Sequence, residues 1–221
     1  MNHRSYRAFL LVVALATAVT AIPPVDYPVW IFELSIGLAA TAALVATRRR
    51  FPFSSLVYLL AAVHFVVLAV GAHWTYAEAP PGFWLKDLLG LSRNPFDRVG
   101  HFMQGFVPAI VVREILLRTT GLKRGKMLGF LCVAVCLAFS AFYELIEWWI
   151  VVLFYPDQGQ AWLGMQGDVW DAQGDMLMCT IGATLAVLGL SAVHNRSMAA
   201  LGSAAAGKEE ADKTAREASN T

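Results

Sequence analysis

Charged residues are scarce in this sequence, and several long stretches contain none at all. Only 15% of the 221 residues are Asp, Glu, Lys or Arg, whereas an average soluble domain carries about 25%. The hydrophobic fraction is 57%, and the mean hydropathy is +0.56. This composition excludes an ordinary soluble domain and predicts a membrane protein whose main partner is the lipid bilayer.

Three further absences narrow the function. The net charge is only +1 and no basic patch is interleaved with aromatic residues, which argues against a nucleic-acid partner. The sequence has no zincin His-Glu-x-x-His, phosphate-binding Gly-rich loop, nucleophile elbow or dinucleotide fingerprint, so no short motif encodes a reaction class. Of the three cysteines, Cys132 and Cys136 lie one helical turn apart and Cys179 lies in another apolar stretch. Burial as small apolar residues is favoured for them over a metal or disulfide role.

Six apolar stretches are long enough, or nearly so, to cross a bilayer, which takes roughly 20 residues. They are residues 8–22, 29–47, 56–73, 96–117, 128–151 and 171–193. We therefore predict an all-α fold, a polytopic transmembrane helix bundle of about six spans within residues 1–194. Residues 195–221 have no apolar period and predict a disordered polar tail.

The first stretch has a second interpretation. The basic start with His3, Arg4 and Arg7, a short apolar core and the sequence Val19-Thr20-Ala21 also fit a signal peptide cleaved after Ala21. We favour a retained span, and the remaining topology is the same in either case.

The distribution of basic residues predicts the orientation. With six spans, fourteen of the seventeen Lys and Arg residues fall on one side, and only Lys86, Arg93 and Arg98 fall on the other. Because Lys and Arg in short loops stay in the cytoplasm, both termini are predicted to be cytoplasmic. All seven tryptophans map to the opposite, outer side, where their amphipathic rings suit the membrane interface.

Acidic residues accumulate at the outer ends of four predicted spans. They are Glu33, Asp97, Glu144, Glu147, Asp168, Asp171 and Asp175, with His101 one turn after Asp97. Asp168, Asp171 and Asp175 follow the spacing of one helical face. Since ionised groups within a bilayer normally face a bundle interior or a wet cavity, we predict one acidic pocket that opens outward.

This pocket supplies the candidate site residues. The candidate catalytic residues are His101, Glu144, Glu147 and Asp175, and the candidate binding residues are Asp97, Gln104, Tyr143, Gln166 and Asp168. Carboxylates with one imidazole suit Mg²⁺, Mn²⁺, Ca²⁺ or, less well, Zn²⁺, so the metal hypothesis uses His101, Glu147, Asp171 and Asp175. Without a metal, crowded carboxyl groups would retain a proton and could relay it.

Simpler interpretations stand beside these roles. Asp97, Asp168 and Asp171 also fit helix capping and interaction with the helix dipole. His64, near the middle of the third span, is interpreted as a packing residue, and Arg113 and Glu114 as a pair that snorkels at the inner membrane surface.

Three strings carry a resemblance to a known family. They are RNPFDRVGHFMQGFVPAIVVREILLR, FYELIEWW and LGMQGDVWDAQGDM, and in this order they resemble the signature of the YjdF-type family of bacterial inner-membrane proteins, a domain of unknown function. The similarity runs from the first span through Gly182. It implies a small multi-pass protein of the inner (plasma) membrane and brings no activity with it. The spacing of Asp97 and His101 is also faintly similar to VanZ-like membrane proteins, which implies a role at the cell envelope.

Three classes of function fit these patterns. The first is a metal-assisted membrane enzyme that acts on an outer-leaflet or envelope substrate. The second is a cation- or proton-coupled transporter, and the third is a non-catalytic envelope or stress-related protein. The apolar inner halves of the last two spans, LGFLCVAVCLAF and ATLAVLGL, argue against a polar path through the membrane. No pattern identifies the ligand or the oligomeric state.

Overall fold

All secondary structure in the described part of the chain is helical. A computed structural model describes residues 3–154, 156 and 165–219, with side chains described except at residues 3, 165 and 204–219. The helices are α1 (His3–Thr20), α2 (Tyr27–Thr47), α3 (Ser55–Trp74), α4 (Pro80–Leu89), α5 (Phe96–Thr119), α6 (Lys126–Phe154) and α7 (Asp171–Ser219). The predicted all-α class is confirmed.

Five of these helices, α2, α3, α5, α6 and α7, are long and apolar enough to cross a membrane. They coincide with the last five predicted spans. The first predicted span, residues 8–22, lies in α1 as far as residue 20, and α1 is not among the five in the described chain. Helix α1 packs against α3 through the buried side chains of Phe9 and Val13. The crossing of the membrane by α1, which would make six spans, and the side on which the termini lie stay predictions.

The end of the bundle where α2, α5 and α7 begin and where α3 and α6 end is called the outer end here. Local sequence fixes several of these helix boundaries. The Asp26 side chain accepts a hydrogen bond from the Val29 backbone N–H at 2.9 Å, which caps α2. Gly90, at a φ of +64°, ends α4 in the left-handed conformation. Asn94 Oδ1 accepts a hydrogen bond from the Phe96 backbone N–H at 2.9 Å, at the start of α5.

Helix α7 continues past the predicted end of its span at residue 193. Its backbone is helical as far as Ser219, where the composition predicts disorder from residue 195. The stretch is rich in Ala, Lys, Glu and Arg, which are strong helix formers and need no packing partner to favour this conformation. The division of the chain at residue 194 stays a prediction.

The tightest helix packing in the bundle is between α5 and α7. A Cβ atom on Gly105 would lie 1.8 Å from the backbone oxygen of Cys179, and one on Gly182 would lie 2.1 Å from the backbone oxygen of Phe102. Two glycines therefore let the backbones approach as closely as they do, as at other small-residue interfaces in membranes. Cys132, Cys136 and Cys179 are buried free thiols, as predicted. The close approach brings the first turns of α5 and α7 side by side.

Replacing Gly182 by leucine is expected to disrupt this packing. The added side chain would collide with the backbone of α5, and overpacking of a core costs about 1–3 kcal/mol or more. Gly189 on the same helix is the matched control, since a Cβ there would meet no atom within 4 Å. Denaturation in mixed micelles should show a lower midpoint for G182L than for G189L, and equal midpoints would contradict the packing.

Candidate functional site

Residues from α5, α6 and α7 meet at the outer end around the imidazole of His101. The Nε2 atom of His101 lies 3.6 Å from Oδ1 of Asp97 and 3.7 Å from Oδ1 of Asp175, and its Nδ1 atom lies 3.8 Å from Oε1 of Glu144. Nδ1 is also 3.0 Å from the amide oxygen of Gln104. His101 and Asp175 are buried, at 8% and 3% exposure. The structure thus brings together five of the residues that the sequence singles out.

Two arginines that the sequence analysis uses only to predict the orientation contact several of the acids. The Arg98 guanidinium lies 2.8 Å from Oδ1 of Asp171 and 3.1 Å from Oδ2 of Asp168, and it also contacts Asp175. Arg93 lies 2.8 Å from Asp168 and 3.1 Å from Asp171. A Cβ on Gly174 would lie 2.7 Å from the Arg98 guanidinium, so this glycine makes room for it. The sequence signal for this role of Arg98 is that it directly follows Asp97.

Asp168 and Gln166 belong to the rim of this region. The Trp170 backbone N–H donates to Asp168 at 3.0 Å, and this bond together with Arg93 and Arg98 lowers the pKa of Asp168. Gln166 exchanges two hydrogen bonds with the backbone of Asn94, at 3.0 and 2.9 Å. Gln166 therefore fastens the segment before α7 to the segment before α5.

A cavity of about 80 Å³ lies next to His101, between α2, α3, α5 and α6. Its wall includes Asp97, His101, Gln104, Tyr143 and Glu147 from the predicted set. Glu144, Asp171 and Asp175 do not line it, although Glu144 and Asp175 lie 3.8 and 3.7 Å from His101.

The cavity wall also contains residues that are not among the candidate catalytic, binding or metal residues. His64 lines it, and its Nε2 atom is buried without a hydrogen-bond partner among the described residues. Glu33 lines it as well and accepts a hydrogen bond from Tyr143 at 3.1 Å. Tyr76 closes one side. Burial raises the pKa of Tyr76 well above its ordinary value, so the phenol is neutral.

In the described chain, Asp97, His101 and Asp175 form a group whose possible ligand atoms are close enough to share a metal ion, because one such atom from each lies within 4.8 Å of the others. His101 and Asp175 come from the predicted metal set. The other two residues of the predicted metal set lie elsewhere. Asp171 binds Arg93 and Arg98, and Glu147 lies on the cavity wall. The metal role itself stays a prediction.

A second buried polar cluster lies at the opposite, inner end. Glu114 is fully buried and accepts hydrogen bonds from the Ser54 backbone N–H at 2.9 Å and from Arg118 at 2.7 Å. His194 Nε2 lies 3.0 Å from Glu114, and its Nδ1 lies 2.9 Å from Arg113. Because Arg113 can only donate, Nδ1 accepts, and the Nε2–H group donates to Glu114. The interpretation of Arg113 and Glu114 as a snorkelling pair is wrong, because both side chains are paired inside the bundle.

Comparison with known proteins gives two matches of the same kind. The family described as "Predicted membrane protein (DUF2238)" matches residues 5–196. The inner membrane protein YjdF of Escherichia coli (strain K12) is 43% identical over 192 residues, which cover 87% of this chain and 91% of that protein. No solved structure matches. All residues of the outer site lie within the matched range.

Proposed function

The chain belongs to the family of predicted membrane proteins DUF2238 and is a multi-pass protein of the bacterial inner membrane, and on that basis we propose that its outer pocket is the divalent-metal site of a membrane-embedded enzyme. The substrate in this proposal is a lipid or another envelope molecule that reaches the outer end. The observation that carries the proposal is the convergence of Asp97, His101 and Asp175 within 4.8 Å beside the cavity.

The donor set fits a small divalent cation of mixed preference. Two carboxylates and an imidazole suit Mn²⁺, and also Zn²⁺ with its stronger preference for nitrogen. Gln104, 3.0 Å from Nδ1 of His101, is placed to fix the orientation of the imidazole, as partners of metal-binding histidines usually do. Asp175 is fastened by Arg98, which limits the rearrangement that binding would require.

The charge balance at the outer end also favours a cation. The acids are Glu33, Asp97, Glu144, Glu147, Asp168, Asp171 and Asp175, and the basic partners of the cluster are Arg93 and Arg98. The arginines contact Asp97, Asp168, Asp171 and Asp175. Two guanidinium groups offset two of the seven carboxylates, so the other five are left to be offset by protons, by a charged His101 or by a bound cation, because uncompensated charge in a buried site is costly.

The remaining residues supply proton transfer. A bound divalent ion would polarise a substrate oxygen and favour ionisation of a water molecule. Oε1 of Glu144 has no hydrogen-bond partner among the described residues and lies 3.8 Å from His101, so Glu144 is placed to accept or return a proton. Glu147 lines the cavity beside His101.

The inner end supports an enzyme over a transporter. There the buried network of Glu114, His194 and Arg118 ties α5 and α7 to the segment before α3. A transporter needs polar groups that continue across the bilayer and open alternately to both sides. The described cavity ends among Ile36, His64 and Leu68, at the level of the bilayer interior.

Titration of the chelator-treated protein with Mn²⁺ tests the proposal. In detergent micelles we expect one ion per chain, measured by calorimetry and by the loss of the free Mn²⁺ signal in electron paramagnetic resonance. Competition by Zn²⁺, Mg²⁺ and Ca²⁺ would then rank the ions. Absence of saturable binding by any of the four would contradict the metal site and favour the non-catalytic envelope role.

A further inference from the structure

The cavity beside His101 is closed only loosely on the side between α2 and α6. Helix α2 packs extensively against α3 alone, and α6 packs against α5 and α7, so that α2 and α6 share no extended contact in the described part of the chain. Both helices nevertheless contribute residues to the cavity, Glu33 and Ile36 from α2 and Tyr143 and Glu147 from α6. The cavity is therefore bounded on this side by two helices that do not pack together.

The side wall reaches the surface that faces lipid. Ile36 lines the cavity and is also 39% exposed. It lies nine residues into α2, roughly 13 Å from the start of the helix at ~1.5 Å per residue. This depth is within the hydrocarbon region of a bilayer about 30 Å thick. An opening here leads into the membrane and not into water.

A hydrogen bond crosses this gap. The Tyr143 hydroxyl donates to Oε2 of Glu33 at 3.1 Å. Breaking one such bond is a modest cost, whereas separating two packed helices would expose a large contact area. The pair of Glu33 and Tyr143 can therefore open without unfolding the bundle.

The lining of the cavity selects a cation. It contains the carboxyl groups of Glu33, Asp97 and Glu147, the rings of Tyr76 and Tyr143 and the Nε2 atom of His64, and among the described residues that atom has no partner and the lining has no Lys or Arg. Carboxyl groups beside aromatic rings are suited to an ammonium group. The volume of about 80 Å³ is suited to a head group of a few atoms.

We propose that this cavity binds the ammonium group of a lipid that enters from the bilayer between α2 and α6, with Glu33 and Tyr143 as the gate. The inference rests on the proposed function and names its substrate class: an amphiphile with a primary ammonium head group. The phosphate of such a lipid would lie toward Asp97 and His101, where the proposed metal ion would bind it. The acyl chains would stay in the membrane.

Lipid binding to the purified chain tests this proposal. Native mass spectrometry should show that phosphatidylethanolamine is retained about tenfold more strongly than phosphatidylglycerol with the same acyl chains. The double variant E33Q/E147Q should lose this preference. If the double variant does not remain monodisperse, E33Q alone carries the test with a smaller loss.

A pair of tryptophan variants tests the entry route. Ile36→Trp should block the gap and abolish retention of phosphatidylethanolamine. Leu38→Trp is the matched control, because Leu38 has almost the same exposure, 40%, and does not line the cavity. Equal retention by I36W and L38W would overturn lateral entry, and equal retention of the two lipids by the wild-type chain would overturn the ammonium site.

The metal site can fail separately. Asp175 is in the metal group but does not line the cavity. Asp175→Asn should therefore abolish Mn²⁺ binding and leave the lipid preference in place. Lipid preference in a wild-type chain that binds no Mn²⁺ would refute the proposed function and retain the lipid site.

Discussion

Replacing Glu114 by alanine is expected to lower the free energy of unfolding by about 3–5 kcal/mol, the usual cost of removing one partner from a buried ion pair. Glu114 is fully buried and is the shared acceptor of Ser54, Arg118 and His194. Its loss would leave the backbone N–H of Ser54 and the Nε2–H group of His194 without an acceptor in an apolar interior. The measurement is unfolding in mixed micelles followed by circular dichroism.

Two further variants make this result interpretable. Glu114→Gln keeps the shape and removes the charge, so it should fall between the wild type and E114A. Glu78→Gln removes an exposed carboxylate at the outer end and should change the free energy of unfolding by less than about 0.5 kcal/mol. Equal stability of E114A and E78Q would show that the inner network contributes nothing to the fold.

Replacing His101 by alanine is expected to weaken Mn²⁺ binding by more than about 100-fold. Loss of a residue that only supports a metal ligand costs about 10–100-fold in affinity, and His101 is itself one of the three proposed ligands, central to the distances to Asp97 and Asp175. Calorimetric titration of the folded variant measures the change. Substrate turnover, once a substrate is found, should fall with it.

Asp26→Asn is the matched control for this measurement. Asp26 lies at the outer end and caps α2, and asparagine is an equally good cap, so the variant removes an outer carboxylate without changing the fold. It should bind Mn²⁺ as the wild type does. If H101A and D26N bind the ion with equal affinity, the group formed by Asp97, His101 and Asp175 is not the metal site.

The sequence alone predicts that the acidic residues of α5, α6 and α7 lie at one end of the bundle, because the positions of the spans and the direction of each span decide on which side a residue lies. Hydropathy summed over about 20 residues locates spans, and each crossing reverses the direction of the chain. The depth of Asp97, Glu144 and Asp175 then follows by counting residues from the span ends. The spacing of Asp97 and His101 within one turn follows from the helical period. The membrane class, the five helices long and apolar enough to span and the shared depth of these acids therefore required no tertiary information.

Contacts between helices are a different matter, because they depend on the rotation of each helix about its own axis. Arg98 finds Asp168 and Asp171 at separations of 70 and 73 residues, and Glu114 finds His194 at a separation of 80. No local pattern links such pairs. For this reason the sequence analysis identified neither the role of the outer arginines nor the buried inner network.

Local sequence therefore determined which residues lie at which depth in the membrane, since depth is set by chain length and hydropathy. Tertiary packing decided which of them touch. The glycines of α5 and α7 fix how closely those two helices approach. That approach places Asp171 against Arg98 and brings Asp175 close to Asp97 and His101. The gap between α2 and α6 is also a result of tertiary packing. Helix α2 packs extensively against α3 alone, and its other faces are left to the lipid.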